Sequence, residues 1–408
     1  MMTLVVVIKE IIPLCLCLVI EQTLTSLLYC FSYESESIRT VGTNVGEIMS
    51  ILYSWKNGWL ISHEKFVNTL YDCIEHEREV RTCKINSNLF QILQPFKKSS
   101  TKHNLKRKSD NTNSSQETFN NLRATIEYVH NLYQTIQAEI EKHICSTTEI
   151  NKNSQISNNC AVELSKKVYN ESGKACITNA LGENNAKATY VAINNHYFLF
   201  PTQCRFYCKN VSEINQYLSD EKYDLIVLDP PWWNKYVRRK KAKTDHGYLM
   251  MYNDELKTIP IESLLHDNGL VIVWCTNSLQ HLQALQNDIF PKWNVQFIAK
   301  WYWLKTTKFG EPICGFSEPP GKQPFEQILI GIRNPQRIMK PEDGKLIISV
   351  PSALHSHKPP LIEILQSYLP ENPKCLELFA RYLLPNWTSW GLEAVRFQHE
   401  SLYECISK

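Results

Sequence analysis

The sequence has no CxxC pair among its 14 cysteines, and only Cys15/Cys17 and Cys204/Cys208 are near neighbours. This spacing favours neither a zinc site nor a disulfide framework, so we expect no metal and free thiols in a reducing compartment. The chain also lacks a strong net charge, which is only +3. Any affinity for nucleic acid must therefore come from local basic patches. A GxGxxG phosphate-binding motif is absent as well.

The first part of the chain is apolar but does not have the pattern of a membrane span. Lys9 and Glu10 interrupt residues 4–20, and a charge at the centre of a spanning helix costs about 2.5–3.5 kcal/mol. The basic segment that begins a signal peptide is also missing, so we expect no membrane association. A soluble amphipathic sequence starts at Met49. We therefore expect residues 1–48 to be a doubtful N-terminal extension that folding and activity do not need.

Composition divides the remaining chain into regions. Residues 49–96 carry aromatic and aliphatic side chains in short segments, whereas 97–116 are rich in Lys, Ser, Asn and Thr and predict a polar linker. Apolar residues at three- and four-residue spacing predict an amphipathic helix over 117–145, and the Asn- and Ser-rich residues 146–190 predict a loop. The predicted regions are a small N-terminal element (49–96), the linker (97–116), a helix and loop region (117–194), the main domain (195–400) and a C-terminal tail (401–408).

From about residue 200 onward, short apolar strands alternate with helical stretches, which is typical of an α/β sheet. The predicted strands are 223–228, 270–275, 297–304, 325–332, 346–350, 375–380 and 388–392. Trp301 and Trp303 alternate with Tyr302 on one of them, so at least one aromatic face belongs to the core.

The first of these strands ends in the candidate catalytic motif, Asp229, Pro230, Pro231 and Trp232. The carboxyl end of a buried strand is where α/β proteins place their ligands. The Asp229 carboxylate and the Pro230 carbonyl can accept the two N–H groups of an exocyclic amine such as adenine N6, and Trp232 offers a flat stacking surface. Methyl transfer from a sulfonium depends mainly on positioning. The alternative is an ordinary Asp-Pro-Pro turn after a strand.

With this motif, an ordered series of segments resembles the MT-A family of adenosine-N6 methyltransferases. The segments are 58–63, 66–68, 259–261, 301–305, 322–326, 357–359, 376–381 and 386–391. The resemblance implies a permuted Rossmann-like α/β methyltransferase domain, in which the catalytic strand precedes the cofactor strand, with a smaller, partly helical N-terminal region. It also implies S-adenosyl-L-methionine as the cofactor.

The family's cofactor contacts can be transferred only to matching positions. They are Asp229, His357, Lys358, Phe379, Arg381 and Asn386, with Glu393 at a ribose-binding position. Leu392 departs from the pattern, because the family usually has Asn there, and this puts one ribose hydrogen bond in question. The alternative for Lys358 is a solvated surface lysine.

A basic run directly follows the catalytic motif, with six positive residues in the nine positions 235–243. Such a run beside an active site would attract phosphate, so it predicts substrate contacts. The candidates are Asn234, Lys235, Arg238, Arg239, Lys240 and Lys241. A solvated charge run or a nuclear-import signal is the alternative.

Together these features predict an adenine-N6 methyltransferase whose partner is a nucleic acid. By resemblance the substrate is internal 2′-O-methyladenosine in spliceosomal small nuclear RNA, with DNA adenine as the alternative. A base must leave the stack to be methylated, which favours single-stranded or looped substrates. A catalytically silent RNA-binding or scaffold subunit is the alternative of another class. We expect activity without an obligate partner subunit, in the nucleus, with the cytosol as a second location.

Overall fold

The computed structural model describes residues 5–8, 50–76, 79–96, 113–145, 157–233, 250–319 and 321–407. The strands are β1 (Val5–Ile8), β2 (Ile51–Trp55), β3 (Gly58–Ile61), β4 (Ile74–His76), β5 (Glu79–Ile85), β6 (Ala180–Asn184), β7 (Thr189–Ile193), β8 (His196–Phe200), β9 (Cys204–Tyr207), β10 (Tyr223–Leu228), β11 (Leu265–Cys275), β12 (Gln296–Lys305), β13 (Phe325–Ile332), β14 (Leu346–Ser349), β15 (Cys375–Leu378), β16 (Trp387–Trp390) and β17 (Tyr403–Ser407).

Helices cover both faces of the larger sheet. They are α1 (His63–Leu70), α2 (Asn113–Cys145), α3 (Asn159–Lys174), α4 (Asn215–Leu218), α5 (Asn253–Lys257), α6 (Ile261–Leu264), α7 (Leu279–Ala284), α8 (Phe290–Lys292) and α9 (Ile362–Leu365). A π-helical turn over Leu285–Ile289 joins α7 to α8, and short 3₁₀ turns lie at Ser87–Phe90, Val211–Glu213, Gln366–Tyr368, Arg396–Gln398 and Glu400–Leu402. In the described ranges, no helix is both long enough and apolar enough to cross a bilayer.

The large sheet has the strand order β1-β6-β9-β16-β15-β10-β11-β13-β12-β14-β3-β2. The strands from β9 to β11 run parallel, β13 runs against β11 and β12, and β12, β14 and β3 are parallel again. The carboxyl ends of the parallel strands β9, β16, β15, β10 and β11 therefore meet at one edge, together with the start of β13 and the ends of β12, β14 and β3, and we call this the catalytic edge. The catalytic strand β10 precedes its neighbour β15 in the chain, which confirms the predicted permuted α/β fold.

The parallel strands are apolar on both faces because each face packs against a core. Leu225 and Val227 of β10 join one hydrophobic cluster, and Ile226 and Leu228 join another on the opposite face. All seven predicted strands are present, and the two spanning 223–228 and 325–332 have the predicted bounds.

The N-terminal region is part of the same sheet. The β2–β3 hairpin extends the sheet through the parallel pair β3/β14, and α2 covers this end with buried residues that include Val129, Tyr133 and Ile140. The predicted amphipathic helix is thus confirmed. At the opposite edge, β1 pairs with β6, while the rest of residues 1–49 lies outside the described residues. The dispensability of residues 1–48 stays a prediction.

Three expectations were wrong. The stretch 146–190 contains α3, β6 and the start of β7, because α3 buries an apolar stripe that the surrounding Asn and Ser obscure. The predicted tail 401–408 contains β17, which pairs with β5 in a second sheet of order β17-β5-β4-β7-β8. Cys83 and Cys405 stand opposite each other in that pair and form a disulfide, although we expected free thiols. Their 322-residue separation gave no sequence signal for this pairing.

Candidate active site

Asp229 lies at the catalytic edge, directly after β10, where its backbone N–H donates to the Leu378 carbonyl of β15 at 3.4 Å. Ser356 Oγ donates to Asp229 Oδ2 at 2.5 Å, and Lys358 Nζ lies 3.5 Å from Oδ1. The loop after β14 therefore holds the carboxylate from the side. Ser356 itself has a φ of +58°, a left-handed conformation uncommon for a residue with a side chain.

Lys358 belongs to a chain of alternating charges that continues away from Asp229. Its Nζ lies 2.5 Å from Glu326 Oε2, and the other oxygen of Glu326 pairs with Lys305. Burial disfavours the charged amine, but the Asp229 and Glu326 carboxylates outweigh this and raise the pKa of Lys358. Burial likewise opposes ionisation of Glu326, but the two lysines hold the pKa of its carboxyl well below the usual range. Lys358 is thus a buried amine that is charged at neutral pH, not a solvated surface lysine.

Glu377 of β15 is a further carboxyl group, and it lies close enough to Asp229 to interact with its charge. It stands in register with Val227 of β10 and is 7% exposed, and Oε2 has no hydrogen-bond partner. Burial, helped by the Asp229 charge, raises the pKa of Glu377 to about 8. This side chain is therefore protonated at neutral pH.

The protonation of Glu377 predicts a pH dependence of stability. Between the ordinary pKa of 4.5 and the folded value of about 8, only the folded state holds the proton. The free energy of unfolding of the wild type, relative to a Glu377→Gln variant, should therefore fall as pH rises through this window, by up to about 1.4 kcal/mol per pH unit. Urea unfolding at pH 5.5, 6.5, 7.5 and 8.5 measures the difference. Parallel pH profiles for the two proteins would contradict the assignment.

The rest of the catalytic motif forms a tight turn. The Pro230 carbonyl accepts from Trp232 N at 2.8 Å and keeps a second lone pair for another donor. Trp232 is 7% exposed, its indole N–H donates to the Trp274 carbonyl at 2.9 Å, and its ring packs on His281 with centroids 4.7 Å apart. The expected flat stacking surface is therefore largely covered, because the ring fills the core beneath the motif.

The candidate cofactor side lies at the ends of β15 and β16. Phe379 follows β15 with a φ of +64° and is half-buried. Arg381 Nε lies 3.3 Å from Glu393 Oε2, and Arg396 pairs with the other oxygen of Glu393. Two arginines thus fix the Glu393 carboxylate beside the chain reversal at Phe379.

Gly391 permits these two strand ends to approach closely. A Cβ at this position would lie 2.6 Å from the Ala380 carbonyl oxygen and 2.8 Å from its nitrogen, both of them backbone atoms. We expect Gly391→Ala to destabilise the protein by about 1–3 kcal/mol, as overpacking does. Urea unfolding measures this, with Gly315→Ala as the matched control, since nothing lies within 4 Å of a Cβ there. Equal effects of the two changes would contradict the close approach.

The other predicted residues are placed differently. His357 is buried between His63 and Tyr382, its Nδ1 has no hydrogen-bond partner, and burial lowers its pKa to about 3. Asn386 precedes β16, and its N–H donates to the Thr202 and Gln203 carbonyls at the edge opposite Asp229. Asn386 was therefore wrongly placed with the cofactor contacts, because it lies one strand length away.

The six predicted substrate residues, Asn234, Lys235, Arg238, Arg239, Lys240 and Lys241, lie outside the described residues. The structure describes the residues on either side of that segment, which we call the leading stem (231–233) and the trailing stem (250–253). Met251 N donates to the Pro231 carbonyl at 2.8 Å, and Trp233 N donates to the Met251 carbonyl at 3.1 Å. Across the described ranges, no group of three or more His, Cys, Asp and Glu side chains could hold a metal ion.

The groups at the catalytic edge fit a sulfonium cofactor. A buried ammonium, a carboxylate fixed by arginine and an apolar ring match the carboxylate, ribose hydroxyls and adenine of S-adenosylmethionine, respectively. These groups are those of Lys358, Glu393 and Phe379. The unpartnered Nδ1 of His357, one residue before Lys358, is a further polar atom at this edge.

Residues 223–393, which include Asp229, Ser356, Lys358, Phe379 and Glu393, match the MT-A70 family. The chain carries an MT-A70 domain. This confirms the predicted resemblance to the MT-A family and places Asp229 and Glu393 in one domain.

Curated relatives extend the similarity. The chain is 38% identical over 229 residues to the N(6)-adenine-specific methyltransferase METTL4 of Mus musculus, covering 53% of this chain and 47% of that protein. It is 33% identical over 209 residues to a DNA N6-methyl methyltransferase of Caenorhabditis elegans (50% and 55%), and 38% identical over 179 residues to the N6-methyladenosine RNA methyltransferase MTA1 of Cryphonectria parasitica (43% and 53%). The chain spans about half the length of these relatives.

Proposed function

We propose that this protein is an S-adenosylmethionine-dependent methyltransferase that acts on the N6 amine of adenine in nucleic acid. The observation that carries the proposal is the Asp229 carboxylate, fixed by Ser356 and Lys358 at the catalytic edge, the same edge at which Glu393 and its arginines lie. The names of the similar proteins, which act on adenine N6 in DNA or RNA, support the same reaction.

In the proposed mechanism, S-adenosylmethionine supplies the methyl group from its sulfonium. Lys358 would bind the cofactor carboxylate, and Glu393, oriented by Arg381, would accept hydrogen bonds from the ribose hydroxyls. Asp229 and the free lone pair of the Pro230 carbonyl accept the two N–H groups of the acceptor amine. This orients the nitrogen lone pair for in-line attack. As the new N–C bond forms, the carbon–sulfur bond of the sulfonium would break, the neutral thioether would leave, and the amine proton would pass to the Asp229 carboxylate, whose other partners are Ser356 and Lys358.

For the substrate we propose internal 2′-O-methyladenosine of spliceosomal small nuclear RNA, with DNA adenine as the alternative, and a nuclear site of action without an obligate partner subunit. The test is methyl transfer to three matched single strands that contain one 2′-O-methyladenosine, adenosine or deoxyadenosine, followed by mass spectrometry of the nucleosides. N6-methylation chiefly of the first strand supports the RNA assignment. Preference for deoxyadenosine would replace it with the alternative, and no product on any strand would favour a silent RNA-binding subunit.

The exposed Leu392 is the feature that favours this silent alternative, since 47% of it is accessible where the family usually has Asn. The intact chain of charges from Asp229 to Lys305 argues against it, because a site without chemistry has no need to hold two lysines and two carboxylates that are partly removed from solvent.

The basic run supplies a separate prediction. Neutralising Arg238, Arg239, Lys240 and Lys241 together should weaken nucleic-acid affinity and flatten its salt dependence, because each lost phosphate contact lowers the slope of log affinity against log salt by roughly 0.7 on a single strand. Fluorescence anisotropy between 50 and 300 mM salt measures the slope, and cofactor affinity serves as the control. An unchanged slope with normal turnover would identify the run as a solvated or import-related segment.

A further inference from the structure

His281 of α7 contacts both stems of the segment that follows the catalytic motif. Its Nε2 lies 3.1 Å from the Trp233 carbonyl oxygen, on the leading stem, and its Nδ1 lies 2.9 Å from Oδ1 of Asn253, which begins α5 on the trailing stem. The imidazole is 7% exposed and packs on the Trp232 ring. One side chain thus joins α7 to the chain on either side of residues 234–249.

The chemistry of these partners fixes the proton on the ring. A carbonyl oxygen only accepts, so Nε2 must carry the hydrogen that points to Trp233. Burial lowers the pKa of His281, which keeps the ring neutral and leaves Nδ1 as an acceptor. The Asn253 Oδ1 faces Nδ1, so the amide group must be turned by 180° for its NH₂ group to donate to Nδ1, and its two similarly sized ends permit that exchange. Every polar atom of the contact is satisfied in this arrangement.

The two stems are also joined to each other. The backbone hydrogen bonds between Pro231, Trp233 and Met251 form a short ladder. His281 contacts the Trp233 carbonyl, which takes no part in that ladder. The leading stem is continuous with Asp229 and Pro230, the groups that face the acceptor amine. A shift of this ladder would therefore move the Pro230 carbonyl, and shifts of about an ångström at reacting groups are costly in rate.

We propose that His281 is a positioning residue that holds the two stems together and thereby sets the orientation of the Pro230 carbonyl and the entry of the acceptor strand. This inference rests on the proposed function for its catalytic consequence, but the contact itself is a property of the fold. The cofactor groups Lys358, Arg381 and Glu393 come from other loops and do not depend on it.

The test combines hydrogen exchange with kinetics on three variants of the full chain. His281→Leu keeps the packing on Trp232 but removes both hydrogen bonds, and should speed exchange of the Trp233 and Met251 amides about tenfold, since two net hydrogen bonds are lost. kcat/KM for the nucleic acid should fall about tenfold or more, with cofactor affinity within twofold of wild type. His281→Gln retains a donor for the Trp233 carbonyl and should recover part of both effects.

Leu282→Ala, the next residue of α7, is the matched control, because Leu282 is buried in the core. It should lower the melting temperature without raising exchange of the two stem amides. Unchanged exchange in His281→Leu would overturn the inference, and so would faster exchange with wild-type kcat/KM. The exchange measurement needs no substrate, so it decides the contact even if the wild type transferred no methyl group, a result that would count against the proposed function alone.

Discussion

Replacing Asp229 with Asn is expected to reduce methyl transfer about a thousandfold, within the range that loss of a positioned proton acceptor costs. An amide can still accept the Ser356 hydroxyl through its oxygen, but its other end is an NH₂ donor and the group is not basic, so it cannot take up the amine proton. Lys358 keeps its partner Glu326, so the cofactor carboxylate should still find a charged amine. Cofactor affinity should therefore stay within several-fold of wild type.

Single-turnover methyl transfer measures the rate, and calorimetric titration with S-adenosylhomocysteine measures the affinity of the cofactor site. Ser356→Ala is the matched control, because it removes one partner of the carboxylate while the charge remains, and should cost about tenfold. Retained turnover in Asp229→Asn would remove Asp229 from the active site. A parallel collapse of cofactor affinity would show instead that Asp229 mainly holds the cofactor.

The sequence predicted what depends on local pattern. The apolar run before Asp229 became β10 with the predicted bounds, since a strand buried on both faces needs a continuous apolar stretch. The apolar residues at three- and four-residue spacing in 117–145 became α2, because a helix that packs against one core needs a single apolar stripe. The predicted family followed from motif order, and the order of β10 and β15 in the sheet agrees with it.

What the sequence did not predict depends on contacts between distant segments. Ser356 and Asp229 are 127 residues apart, and Cys83 and Cys405 are 322 apart, so no spacing rule could pair them. Asn386 illustrates the opposite failure. It is close to Arg381 in the sequence, but Asn386 precedes β16 and Glu393 follows it, so the two residues lie at opposite ends of that strand.

Lys305 and Glu326 were recognised as parts of family motifs, but their roles were not. Each is an isolated charge at the end of an apolar strand, and the antiparallel pairing of β12 with β13 brings the end of one strand beside the start of the other. The sequence signal for their roles is a single charge at one end of an apolar strand, with no residue of opposite charge next to it in the sequence.

The Glu326 side chain is only 23% exposed and lies between Lys305 and Lys358, so its charge should be needed for stability. Glu326→Gln leaves Lys305 as a largely buried cation without its counter-ion, and breaking such a pair from one side costs about 3 kcal/mol. The pKa of Lys305 is already lowered by burial. Its charged form therefore destabilises the variant at low pH, and the loss should shrink as pH rises and the amine deprotonates. Urea unfolding at pH 7 and pH 9.5 measures both effects.

The double variant Lys305→Met with Glu326→Gln is the control, because it removes the unpaired cation and should recover at least half of the lost stability. Lys358 still has Asp229 in that double variant, at 3.5 Å, so its charge remains compensated. If Glu326→Gln were as stable as wild type at pH 7, the charges would be solvated, and Glu326 would not hold Lys358 in place for the cofactor. If the double variant were less stable than the single one, Lys305 would contribute by packing on Trp303, whose ring lies 4.5 Å from its Nζ, more than by charge.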